Sequence, residues 1–151
     1  MSNFIKVVKS IKGELESSPF INTISYGSLF DVDLKKQTIF PLGHLSVDNV
    51  QYGEQVITYT FSILCMDLVD INKDSNVDEV MGNDNTMYIW NTQQAVITKL
   101  LNTLKNGDIL EDGFQLLGNP NLEPFKERFG NLLAGWAVTF EIEVANTIDL
   151  C

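Results

Sequence analysis

Residues Trp136 to Val144 alternate without a break, with Trp136, Val138, Phe140, Ile142 and Val144 projecting one way and Thr139, Glu141 and Glu143 the other. Successive side chains of an extended chain point to opposite faces, so the run predicts a strand with one buried and one wetted side. The stretch from Val56 to Met66 repeats the pattern, setting Ile57, Tyr59, Phe61, Ile63 and Cys65 against Thr58, Thr60 and Ser62. Ribbons of this kind need an apolar cover on one side only. The expected fold is therefore α+β: a mostly antiparallel sheet with one face packed by an N-terminal helix and a long central helix, and the other face left polar.

The first sixteen residues supply one cover. Phe4, Ile5, Val8, Ile11 and Leu15 recur at helical spacing, Lys6, Lys9 and Lys12 are displaced to one side, and Pro19 prevents continuation. Lysines come early and Glu14 and Glu16 late, against the helix dipole, at about 0.3 kcal/mol per exposed charge. Either the apolar face alone holds the helix, or a partner accounts for the charge order. The second cover runs from about Met87 to Lys105, with Ile89, Ala95, Val96, Ile97, Leu100, Leu101 and Leu104 on its apolar side. Asn85 or Thr86 is its candidate cap and Asn106-Gly107 its stop.

Between and after the helices the pattern predicts a short strand over Ile21 to Tyr26, a hairpin over 43–66 turning at Asn49 to Gly53, and a short strand at 114–117. Asn119-Pro120 breaks the chain, and a mixed region from Leu122 to Gly135 leads into the final strand. No repeat or low-complexity tract divides the 151 residues, so 1–151 reads as a single domain. A domain of that size buries roughly 68 to 70% of its unfolded surface, enough for a core without staples.

Acidity is the compositional outlier. Ten Lys and Arg against twenty Asp and Glu give a formal charge of −10, which disfavours a nucleic-acid groove. There is no apolar run long enough to span a bilayer and no signal-peptide pattern, so no membrane partner and a soluble, intracellular chain are expected. Cys65 sits within a strand face and Cys151 at the end of the sequence, which suits free thiols better than a disulfide framework.

Little in the chain resembles catalytic machinery. Asp70, Asn72, Asp74, Asn76 and Asp78 occupy alternate positions of a calcium-loop pattern, but Ser75 replaces the turn glycine and Met81 the closing bidentate carboxylate. His44, Ser46 and Asp48 share one strand face; alternate residues there are about 6.7 Å apart, too far for a histidine to bond both others. Glu141 and Glu143 have the spacing of a carboxylate pair but also of a wetted strand face. Phosphate-binding glycine loops and paired Cys-x-x-Cys are missing. The chain is expected to be no enzyme and to carry no cofactor or metal.

An N-terminal helix is followed by a hairpin carrying Ile39-Phe40-Pro41 and His44-Leu45, then the long strand to Asp67. A loop, a helix with Asn91-Thr92-Gln93, and a closing strand Leu133-Ala134-Gly135-Trp136 to Val144 complete the order. This layout resembles the small tail terminator and tail completion proteins of the head-tail junction of tailed bacteriophages, over nearly the whole chain. The resemblance implies a virion structural protein, assembled in the host cytoplasm, that forms a homo-oligomeric ring, usually sixfold in such proteins, at the head-proximal end of the tail. Its partners would be the tail tube protein and the neck or connector proteins, with DNA passing through the lumen without specific binding. A neck or tail completion protein is the alternative station. A small ligand-binding domain or enzyme is the alternative of another class, and a calcium-dependent module a further one.

A head-to-tail ring needs two different complementary patches. Lys6, Lys9 and Lys12 are the candidates for one, and Asp70, Asp74, Asp78 and Glu79 of a neighbour for the other. Asp48, Glu54, Glu141 and Glu143 are the candidates for an acidic lumen that repels phosphate.

Overall fold

The computed structural model describes residues 3–28, 32, 36–69, 84–106, 114–128 and 131–146. Along the chain these form α1 (Asn3–Glu16), β1 (Thr23–Tyr26), a 3-10 turn (Gln37–Ile39), β2 (Leu42–Gln51), β3 (Val56–Leu68), α2 (Thr86–Asn106), β4 (Phe114–Leu117), β5 (Leu122–Arg128) and β6 (Leu132–Ala145). The strands make one sheet in the order β1-β2-β3-β6-β4, and β5 also pairs with β6. Among the described residues β1 and β2 pair in parallel and the other pairings are antiparallel. Both helices pack on one face, so the expected α+β fold is the one formed.

The two alternating runs become the centre of the sheet. β3 and β6 pair without interruption from Val56↔Ala145 to Leu68↔Leu133, which aligns Ile57, Tyr59, Phe61 and Ile63 with Val144, Ile142, Phe140 and Val138. Those eight side chains are buried with Val7, Ile11 and Leu15 of α1 and Val96, Ile97, Leu100 and Leu104 of α2. Burying each removes apolar surface worth about 1.5–3 kcal/mol from water. Tyr59, Phe61 and Phe140 form a chain of tilted ring contacts at 6.1 and 5.9 Å, a spacing aromatic quadrupoles favour.

The buried stripe of α1 is Val7, Ile11 and Leu15, with Phe4 and Val8 partly buried, whereas Ile5 is 44% exposed. On α2, Ala95 faces solvent and Thr92 and Gln93 are buried in its place, with the Gln93 amide donating to the Phe20 carbonyl at 3.2 Å. Trp136 Nε1 donates to the Trp90 carbonyl at 2.7 Å and Trp90 Nε1 to the Phe125 carbonyl at 3.2 Å, which ties α2 to both β6 and β5.

Two expectations need correction. The mixed region after Asn119-Pro120 contains a strand, β5, which forms a hairpin with β6 from Arg128↔Leu132 to Leu122↔Val138. The face away from the helices is polar over only part of its area. Where β3 changes from Thr58, Thr60 and Ser62 to Leu64, Met66 and Leu68, that face becomes apolar, and Phe40, Leu42, Met66 and Leu133 are buried there with Val32, Ile39 and Phe125 packed against them.

Candidate functional site

The remainder of this second face is open. Strand register sets out its rows: Gln51, Thr58, Glu143 and Gln115 in one, Asn49, Thr60, Glu141 and Leu117 in the next, then Ser46, Ser62 and Thr139. At about 4.8 Å between strands and 6.7 Å between rows, this is a flat polar surface roughly 15 Å across. Between Val47 and Asn49 the β2–β3 register shifts, and the extra residue of that bulge is Asp48. Its carboxylate accepts hydrogen bonds from Ser62 Oγ and, at 3.3 Å, from Ser46 Oγ. The Ser62 and Thr139 hydroxyls lie 2.9 Å apart and extend the network to β6.

Three of the four residues expected to line a lumen thus fall on one surface. Asp48 and Glu141 are exposed and Glu143 half-buried. Glu54 is exposed in the turn between β2 and β3, beyond the Gln51–Thr58 row. Glu123, opposite Ala137, shares the face at its margin, a contribution hidden from the sequence because β5 was not legible there. The strands place no Lys or Arg on this side among the described residues. Lys126 turns to the helix side, where its Nζ meets Asp84 at 2.6 Å.

The basic candidates lie on the opposite layer. Lys6, Lys9 and Lys12 are exposed on α1; Lys12 meets Glu16 at 3.4 Å, and Lys6 and Lys9 have no ion-pair partner among the described residues. Asp70, Asp74, Asp78 and Glu79, and with them the calcium-like pattern, lie outside the described residues.

His44 does not join Ser46 and Asp48. It is 3% exposed, and its Nε2 lies 3.0 Å from the Gly27 carbonyl, so Nε2 carries the proton and Nδ1 accepts from Ser25 Oγ at 2.7 Å. Burial holds its pKa below the ordinary histidine value, outweighing the Gly27 bond. Both ring nitrogens are used to fasten β1 to β2. The chain then turns at Gly27, whose φ of 92° lies in the left-handed region where side chains are strained. The pairing of Ser25 with His44 follows from a parallel register between strands nineteen residues apart, which no local pattern reveals.

The Cys65 thiol is fully enclosed and its pKa is pushed up to about 12, which keeps it protonated and unreactive at neutral pH. Where β4 stops and β5 begins, an open notch of 260 Å³ is lined by Asn121, Glu123, Ala137, Val138 and Thr139. Among the described residues, no three His, Cys, Asp or Glu side chains are grouped to hold a metal ion, and no helix is long and apolar enough to cross a membrane. No protein-family model matches the chain, and no curated protein matches its sequence.

Proposed function

We propose that the chain is a virion structural protein that acts by assembly rather than by turnover: a tail terminator, whose ring caps the head-proximal end of a phage tail and joins it to the neck. The observation that carries this reading is the division of the sheet into a helix-covered face and an open face bearing Asp48, Glu141 and Glu143, with no strand-borne cation there among the described residues. A surface of that kind suits the wall of a channel for DNA, because carboxylates repel phosphate and a stiff hydrogen-bonded sheet resists collapse. The order of elements, from the N-terminal helix to the long closing strand, supports the same assignment. Lys6 and Lys9, unpaired on the outer layer among the described residues, are available to steer a neighbour or an adjoining neck protein into place.

Electron microscopy and sedimentation of the purified protein, with labelling of the chain in intact phage particles, test this reading. A closed ring of defined symmetry at the head-tail junction is the expected result. A single copy per particle, or a substrate turned over by the pure protein, overturns it.

A further inference from the structure

Among the described residues the sheet has two edges without a strand partner, and they meet the same rows. β1 covers the outer side of β2 only from Leu42 to Leu45, and the Gly27 amide adds one bond to the Leu45 carbonyl at 3.0 Å. From Ser46 to Gln51 that side has no backbone partner among the described residues. Exposed edges are ordinarily guarded by lysine, proline, other charges or a bulge. This one has no lysine or proline; its bulge, at Asp48, turns the carboxylate onto the open face, where Ser46 and Ser62 hold it. The edge carries instead Val47 and Val50, 44% and 50% exposed, and leads to Tyr52 and Val56 at 76% and 38%. Tyr26, 83% exposed, ends β1 beside it.

Across the sheet, the outer side of β4 is equally unpaired among the described residues, and its sequence Phe-Gln-Leu-Leu has no charge. β5 continues that edge but is guarded, with Pro124 among Glu123, Lys126, Glu127 and Arg128. Asn49 to Gln51 of the open stretch stand at the height of Gln115 to Leu117 in β4, since they share rows with Thr58 to Thr60 and Glu141 to Glu143. β2 and β6 run one way and β3 and β4 the other, so rotation about an axis along the strands brings β4 of one copy antiparallel to β2 of the next. Edges of equal height close a ring, whereas an offset would start a spiral.

We infer that β4 of one copy adds to the Ser46–Gln51 edge of β2 in the next, joining the sheets into a continuous wall. The partner is a second copy of this chain. Leu116 of the incoming strand shares its core with Leu100 and Leu104 of its own α2, so that helix arrives on the side of the sheet where Val47 and Val50 are exposed. The helices then lie on one side of the wall and the row of Glu141 and Glu143 on the other.

The inference rests on the reading that copies of the chain assemble, and its test separates the two. In a Cys151→Ser background, Gln51→Cys and Gln115→Cys are combined in one chain and oxidised under mild conditions. Neighbouring residues of an antiparallel pair lie about 4.5–5.5 Å apart, within disulfide reach. The double variant should give a ladder of covalent species ending at a fixed number of copies, and a mixture of the two single variants should give dimers only. Val50→Lys should leave the thermal unfolding curve unchanged and weaken association at least tenfold. Dimers from Gln51→Cys alone would show β2 pairing with itself and overturn the inference, as would the absence of any cross-link. Rings seen by microscopy without cross-links would leave the ring reading standing while removing this interface.

Discussion

A Cβ atom added to Gly135 would lie 1.9 Å from the carbonyl oxygen of Cys65, so the two central strands meet at a point that admits no side chain. The clash is with the backbone of Cys65 and Met66, which cannot move aside without parting β3 from β6. Gly135→Ala is expected to destabilise the fold by about 3 kcal/mol or more. Gly13, in α1, has nothing within 4 Å of its added Cβ. Gly13→Ala should therefore stabilise by about 0.5–1 kcal/mol through helix propensity. Urea unfolding of both variants checks the opposite signs.

His44 should give the fold a pH dependence. Its folded pKa is depressed by burial below 6.5, so as the pH falls through that value the unfolded chain takes up a proton that the folded chain refuses. This part of the stability is complete above about pH 6.5 and is lost on the way down to the depressed value, at up to about 1.4 kcal/mol per pH unit. His44→Gln should flatten the difference between unfolding curves at pH 7.5 and 5.5. An unchanged slope would show that the histidine is not held neutral.

Asp84 joins the start of α2 to β5. Its Oδ1 accepts from the Thr86 amide at 3.0 Å at the start of α2, and its Oδ2 meets Lys126 of β5. Lys126 first, then Thr86, hold this carboxyl below the usual carboxylate range, so its contribution is present above pH 3.8 and is lost as the pH falls through the folded value. Asp84→Ala should cost about 1–2 kcal/mol at pH 7, the range of a lost helix cap, and less at pH 3. Chemical denaturation at the two pH values measures the difference.

Charge on the open face can be reversed with little effect on folding, because Glu141 is exposed, Glu143 half-buried, and both project from the sheet away from the core. Glu141→Lys with Glu143→Lys should change stability by less than about 1 kcal/mol. On the proposed ring reading, it should create salt-sensitive DNA retention that the native protein is expected to lack. Fluorescence anisotropy with duplex DNA at low and high salt reads this directly.

The centre of the fold was legible in the sequence because β3 and β6 have one wet and one dry side for most of their length, and period-two alternation reports that condition. β5 was not, since it has no such side. Leu122 packs into the main core while Phe125, an odd number of residues away, packs into the cluster on the opposite face, and Pro124 lies between them. The same cluster explains why the second face was read as polar throughout: Leu64, Met66 and Leu68 share its phase, but what covers them comes from Phe40 and Phe125, distant in sequence. In the candidate site, Glu141 and Glu143 followed from alternation. Asp48 shares a face with Ser46 by the same alternation, but the bulge that brings Asn49 onto that surface as well depends on pairing with β3 and has no one-strand signature.

The pairing of β3 with β6 also affects how the chain is made. Ile57 meets Val144, eighty-seven positions later, and Phe61 meets Phe140. A ribosome that has released residues 56–68 must still synthesise those beyond 131 before this hydrophobic strand finds its permanent neighbour. Contacts so distant in sequence close slowly. During that delay the apolar side of β3 has the preceding hairpin strand, α1 and, once it has emerged, α2 for shelter, but not the strand that completes its pairing.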